Sequence, residues 1–137
     1  MKIKYWICGL MLVSLSTNAF SDELAERICG ELIGYPRTVC LELEHKKAIS
    51  SLNMALSKAQ LKIRKLEYMP EIERKKYIEV LKKSQKLWQA YVKTQCNDIV
   101  EYEYFGASSG SGIGNAMTSC EVSKTLQRIG EIPVFTD

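Results

Sequence analysis

The stretch LEYMPEIE, at residues 66–73, divides the longest regular part of the chain into two helices. Before it, apolar residues recur in steps of three, four and seven, the spacing of one face of an α-helix. They are Leu41, Ala48, Leu52, Leu56, Ala59, Ile63 and Leu66. Pro70 breaks this pattern, because proline lacks an amide hydrogen and disfavours helix in the residue before it. The sequence therefore predicts a helix from residue 37 or 38 to about residue 68.

A second long helix is predicted to begin at Pro70. Proline fits the first helical position, and Glu71 and Glu73 place acids at the positive end of the helix dipole. The apolar residues of one face extend this helix to about Tyr104: Ile78, Leu81, Trp88, Val92, Cys96 and Ile99. Two long helices joined by a short turn predict an antiparallel hairpin.

Two shorter helices are expected to flank the hairpin. Leu24, Ile28 and Leu32 recur every four residues and predict a helix over residues 22–33, which Gly34-Tyr35-Pro36 would end. Near the other terminus, TSCE at residues 118–121 has the form of a capping box. It predicts a fourth helix that buries Val122, Leu126 and Ile129. No stretch shows the alternation of a strand, so the predicted fold class is all-α.

The first 21 residues have the three parts of a secretory signal peptide: a basic start, an apolar run at residues 6–15, and small residues before a cleavage point. We expect cleavage before Asp22, or alternatively before Phe20. The apolar run is shorter than the roughly 20 residues that a membrane span needs. Residues 22–137 are therefore expected to form one domain, periplasmic or secreted, with no membrane partner after cleavage.

Removal of the signal would take Cys8 and leave Cys29, Cys40, Cys96 and Cys120. An even number of cysteines in a small exported domain predicts two disulfides. Three pairings are possible, and we favour Cys29–Cys40 with Cys96–Cys120, because each closes a short segment that contains a turn signal. Zinc is the competing interpretation, but the chain has no C-x-x-C spacing and a single histidine. No metal ion is expected.

Catalytic groupings are hard to identify, so the chain is predicted not to be an enzyme and to need no cofactor. His45 lies in a charged helical run and is expected to be solvated rather than to act as a base. The glycine-rich residues 110–114 lack the preceding strand and the lysine of a phosphate-binding loop. They suit either a flexible connector or a binding loop. The basic residues of the 58–86 region fit a solvated helix face, so no nucleic-acid partner is expected.

One set of residues, taken in order, resembles a known family. It consists of Leu52-Asn53, Gln85, Trp88, Tyr91 and Cys96, a glycine-bearing loop, and then Cys120, Thr125 and Arg128. This order is similar to that of the LprI-type, lysozyme-inhibitor-like family of small exported bacterial proteins. The resemblance covers about residues 29–132. It implies an all-α, disulfide-bonded periplasmic protein that binds another protein.

The resemblance implies inhibition of a lysozyme-like cell-wall hydrolase. We expect a loop at residues 108–115 to enter the cleft of the hydrolase. The predicted contact residues are Tyr104, Phe105, Ser109, Gly110, Ser111 and Gly112. Common lysozymes are basic, so an inhibitor should present an acidic or plug-like surface, and the acidic part of the sequence is residues 22–44. The alternatives are an immunity protein against a secreted periplasmic toxin, and a non-inhibitory structural or stress protein of the envelope.

Overall fold

The computed structural model describes residues 27–105 and 110–134, except for the side chain of Ser111. In these residues the chain forms helices and no strand, which confirms the all-α fold class. The signal peptide and residues 22–26 of the predicted first helix lie outside the described part. The elements are α1 (Tyr35–Arg64), α2 (Glu71–Lys93), a π-helical turn (Thr94–Ile99), α3 (Val100–Glu103) and α4 (Ser111–Glu131).

Helix α1 begins at Tyr35, two residues before the predicted start. Gly34 caps it with φ of 67°, a left-handed conformation that glycine adopts without strain. Pro36 lies in the first turn, where its missing amide hydrogen costs no bond. The prediction used this proline as a stop signal, whereas it begins the helix. At its other end α1 stops at Arg64, four residues earlier than predicted.

Helix α2 begins directly after Pro70, with Glu71 and Glu73 in its first turn as predicted. Beyond Lys93 the helical path continues through the π turn and α3 to Glu103, one residue short of the predicted end. The short connection from α1 to α2 is tied by Arg74, whose Nη1 donates a hydrogen bond of 2.8 Å to the Leu66 carbonyl oxygen.

The main core lies between α1, α2 and the residues that follow α4. It contains the buried residues Leu52, Ala59, Ile63, Ile78, Leu81 and Ile132. Trp88 packs against this cluster partly buried. A second, smaller cluster joins the residues before α1 to α1 and α4, and consists of Cys29, Leu41 and Val122 with Cys40 and Leu126 beside it.

Both disulfides have the favoured pairing. Cys29 and Cys40 are bonded with their Cα atoms 5.9 Å apart, and Cys96 and Cys120 with theirs 5.4 Å apart. The first bond joins the segment before α1 to the first turns of α1. The second joins the π turn to the middle of α4, so each bond covalently connects two elements of the fold. Each contributes about 3 kcal/mol to the free energy of unfolding by restricting the unfolded chain.

The predicted first helix is shorter than expected at its C-terminal end. Residues 27–29 are helical, and the chain then turns at Gly30 and Glu31. Ile28 and Leu32, placed on the inner face by the prediction, are 45% and 39% exposed, whereas Cys29 is buried. The disulfide, rather than an apolar row, holds this segment against α1.

Helix α4 begins at Ser111, seven residues before the predicted capping box. Thr118 lies within the helix and donates from its hydroxyl to the Gly114 carbonyl oxygen at 2.9 Å, so it does not act as a cap. The helix has 21 residues, only two fewer than α2. It packs along α1 more extensively than α2 does. The hairpin of α1 and α2 is thus completed by a third helix of similar length, which packs along α1 and also contacts α2 through Arg128.

Helix α4 runs in the same direction as α1. Near the start of both helices, the Thr38 hydroxyl donates to Asn115 Oδ1 at 2.9 Å. Near their ends, Ile132 packs with Ala59 and Ile63. The beginning of α4 and the end of the α2–α3 path therefore lie at the same end of the molecule. Within the described ranges, no helix is long and apolar enough to cross a bilayer.

Candidate protein-binding site at the end of α3

The predicted contact residues lie on both sides of the connection between α3 and α4. Tyr104 and Phe105 follow α3, and Phe105 is 86% exposed. Gly110 caps α4, and Gly112 lies in its first turn with open space where a Cβ atom would be. Ser109 and the side chain of Ser111 lie outside the described part.

The predicted loop is shorter than expected, because residues 111–115 belong to α4. The prediction was based on glycine and serine, which are weak helix formers. Tertiary contacts override that preference: Asn115 accepts the hydrogen bond from Thr38 on α1. Residues 104–110 separate α3 from α4. The predicted insertion loop at residues 108–115 is therefore corrected to the end of this connection followed by the start of a helix.

Five consecutive exposed residues, 101–105, form a surface before this connection. They are Glu101, Tyr102, Glu103, Tyr104 and Phe105. With the exposed Asp98 of the π turn, we call them the acidic aromatic end. Residues 94–123 contain four acids and no lysine or arginine, so this surface is negative.

Sequence reasoning placed the acidic surface at residues 22–44 and missed this one. Glu101 and Glu103 took no part in that prediction. The signal that identifies them is the absence of any basic residue between Lys93 and Lys124. The residues of this stretch form one surface because the Cys96–Cys120 bond holds the π turn on α4.

Polar contacts fix the position of the π turn relative to α1 and α4. Glu121 of α4 accepts a hydrogen bond of 3.1 Å from Asn97 Nδ2 on one carboxylate oxygen. Its other carboxylate oxygen lies 3.6 Å from His45 Nε2 on α1. His45 is partly exposed on α1 and contacts Glu121. The three elements meet at Glu121, directly after Cys120.

The residues that carry the family resemblance are mostly structural. Leu52 and Thr125 are buried, whereas Asn53 is exposed. Tyr91 is half exposed, and the Lys124 ammonium lies 5.6 Å from the centre of its ring. Such a cation–π contact contributes on the order of 0.5–1 kcal/mol at an exposed site.

Arg128, the cationic residue of this set, is buried, with 9% exposure. Its Nε donates to Gln85 Oε1 at 3.2 Å and its Nη2 donates to Ser84 Oγ at 2.8 Å, both on α2. Its Nη1 lies 3.1 Å from the Glu131 carboxylate. These bonds compensate the loss of hydration of the guanidinium and join α4 to α2. Gln85 and Arg128 thus act in the scaffold, away from the acidic aromatic end.

The fold and this surface define a class: a small, all-α, disulfide-bonded protein that presents an acidic and aromatic end. Among the described residues, no group of three His, Cys, Asp or Glu side chains could hold a metal ion.

Residues 35–132 match the family model described as Lysozyme inhibitor LprI. This range runs from the first residue of α1 to the residue after α4, and the chain belongs to that family. The predicted resemblance is confirmed over nearly its whole length. No curated protein and no solved structure matches the chain.

Proposed function

We propose that the protein is a periplasmic inhibitor of a lysozyme-type cell-wall hydrolase and binds this hydrolase with its acidic aromatic end. The observation that carries the proposal is the joint exposure of Glu101, Tyr102, Glu103 and Phe105 on a segment without any cationic residue. The family match supports a protein partner of the lysozyme class.

The charge of this end fits the expected partner. Common lysozymes are basic, and complementary charge accelerates encounter and selects the partner. Asp98, Glu101 and Glu103 supply that charge on one side of the connection to α4. The molecule as a whole has a formal net charge of +3, so the local surface rather than the total charge would attract a basic enzyme.

The aromatic side chains supply apolar contact area, which charged side chains alone do not provide. Tyr102 is 79% exposed, and Phe105 is more exposed still. Tyrosine and other large aromatic residues carry much of the binding energy in protein interfaces when they enter a pocket of the partner. Gly110 and Gly112 beside them would let the partner approach the backbone closely. A contribution from the hydroxyl groups of Ser109 and Ser111 stays a prediction.

Inhibition assays on bacterial cell walls with lysozymes of several types test the proposal. We expect the Glu101→Gln/Glu103→Gln and Tyr102→Ala/Phe105→Ala variants to weaken inhibition at least tenfold, since both contributions would lie in the contact. Glu71→Gln/Glu73→Gln is the matched control, because it removes two exposed acids at the opposite end of α2. It should inhibit as the unaltered protein does.

Two results would overturn the proposal: no inhibition of any lysozyme type at micromolar protein, or equal inhibition by all variants. In the first case, capture of a secreted toxin by the acidic aromatic end would favour the immunity-protein hypothesis. The protein alone should not release peptidoglycan fragments, because we propose that it is not itself a hydrolase.

A further inference from the structure

The outer face of α2 carries a row of exposed apolar side chains, of which only Tyr91 is contacted by another described helix, through Lys124 of α4. The row consists of Ile72, Val80, Leu87 and Tyr91. At about 100° per residue these positions fall within roughly a quarter of the helix circumference. They lie away from Ile78, Leu81 and Val92, the buried residues of α2. We call this set the α2 row.

The α2 row is open to solvent along most of the helix. Val80 and Leu87 are each 62% exposed, and Ile72 is exposed to a similar extent. From Ile72 to Tyr91 the row spans about 28 Å at the rise of an α-helix. Aliphatic side chains exposed singly are ordinary, but several on one side of a single helix indicate a contact surface.

Lysines surround the α2 row. Helix α2 carries seven basic residues against three acidic ones. Lys76 and Lys83 fall between the apolar side chains in helical projection, and Lys86 lies on one flank. Lys83 and Lys86 form no ion pair with any residue of the described ranges. Lys124 of α4 stands beside Tyr91 at the C-terminal end of the row.

We propose that this face of α2 lies on the surface of an anionic phospholipid bilayer. The α2 row would enter the boundary between headgroups and acyl chains, and the lysines would contact the lipid phosphates. A helix with an apolar face beside a lysine-rich face binds at this depth, where apolar burial and attraction to anionic lipids add. Each lysine near such a surface raises the affinity by roughly fivefold.

Charge distinguishes the bilayer from other partners. In a symmetric contact between two copies of the α2 row, Lys83 of one copy would face lysines of the other, whereas Lys76 is paired with Glu73 of its own helix. An anionic glycan or a nucleic acid would use the lysines, but it would leave Val80 and Leu87 without a partner. An anionic surface with an apolar layer beneath it uses both. The expectation of no membrane partner was drawn from the length of apolar runs, which concerns spanning and not surface contact.

Flotation with phospholipid vesicles tests the proposal, using the protein as recovered from the periplasm of an expressing bacterium. We expect binding to vesicles of phosphatidylglycerol and phosphatidylethanolamine, weakened by salt, and little binding to phosphatidylcholine vesicles. Val80→Ser/Leu87→Ser and Lys83→Gln/Lys86→Gln should each reduce the bound fraction at least tenfold. All four substitutions are at exposed positions, and circular dichroism should show unchanged folding.

Matched controls carry the same changes on α1. Leu43→Ser/Leu61→Ser alters two exposed leucines, and Lys46→Gln/Lys58→Gln alters two exposed lysines. Both controls should bind vesicles as the unaltered protein does. The proposal is overturned if no anionic vesicle binds, or if the α2 variants and the controls bind equally. It is also overturned if sedimentation shows a dimer that Val80→Ser/Leu87→Ser dissociates, because a second copy would then be the occupant.

Discussion

The two ends of the helical assembly carry opposite charge and are held together by different means. At one end, residues 94–123 contain four acids and no base, and a disulfide joins the π turn to α4. At the other, residues 58–76 contain seven bases and three acids, and the connection from α1 to α2 is tied by the Arg74 hydrogen bond. The covalent bond is at the end with the exposed aromatic side chains.

This difference shows where the fold needs a fixed geometry. A turn of a few residues between two helices needs little support, because both helices already pack through Ile63, Ile78 and Leu81. The acidic aromatic end lacks such a core, since residues 101–105 are all exposed. Its position depends on Cys96 and on the contacts of Glu121. Changes at the two ends should therefore have unequal effects on stability and on binding.

The largest effect is expected from Cys96→Ala/Cys120→Ala. Loss of this bond should lower the free energy of unfolding by about 3 kcal/mol, because the unfolded chain regains the freedom of a long loop. Inhibition should fall with it, since the acidic aromatic end would no longer be held on α4. Urea denaturation and the inhibition assay measure the two effects.

Cys29→Ala/Cys40→Ala is the control for that experiment. It opens a shorter loop, 11 residues in sequence separation against 24, and should therefore cost slightly less stability. It should leave inhibition unchanged at temperatures where the protein stays folded. A larger loss of inhibition in this control than in the first variant would contradict the role that we assign to the Cys96–Cys120 bond.

An intermediate effect is expected from Arg74→Met at the basic end. The variant loses the hydrogen bond to the Leu66 carbonyl oxygen, and its free energy of unfolding should be about 1 kcal/mol lower. Inhibition should be unaffected, because the change is at the opposite end from the acidic aromatic end. Lys82→Met, an exposed residue of the same helix, is the control for the loss of a cation. A loss of inhibition in Arg74→Met would mean that the two ends are coupled.

The smallest effect concerns the first turn of α2. A hydrogen bond and the charge of Lys75 lower the pKa of Glu71 below its ordinary value of 4.5. Because the pKa is lower in the folded state, the contact stabilises the fold above pH 4.5 and is lost as the pH falls through the lowered pKa.

Lys75→Met should raise the pKa of Glu71 towards 4.5, as measured by NMR titration of its carboxyl group. Lys76→Met, which removes the partner of Glu73 instead, should leave the pKa of Glu71 nearly unchanged. If both variants gave the same shift, the general positive field of α2 rather than the specific contact would control this carboxyl group.

Local chemistry made much of the fold predictable. The break at Pro70 and the spacing of Leu52, Ala59 and Ile63 predicted the two long helices within a few residues at each end. The pairing of the cysteines was favoured correctly because each bond closes a short segment. These features depend on residues close in sequence, where helix spacing and proline geometry act directly.

What the sequence did not predict depends on contacts between distant residues. The start of α4 was placed seven residues late, because the glycines at 112 and 114 concealed a helix that Thr38 stabilises from α1. The contact of His45 with Glu121 joins residues far apart in the chain. The acidic aromatic end is different, because Asp98, Glu101 and Phe105 are neighbours in the sequence and the absence of basic residues from 94 to 123 already indicates an acidic surface there.

The π turn sets the direction in which the acidic aromatic end faces. In its six residues, Thr94–Ile99, each helical turn contains more residues than a turn of an α-helix. Residues 100–105 are therefore rotated by about 100°, the angle of one α-helical residue, from where an uninterrupted α2 would place them. A deletion of one residue in this turn would restore the α-helical phase. The deletion of this one residue would turn Tyr102 and Phe105 about a quarter of the way round the helix axis from their present orientation.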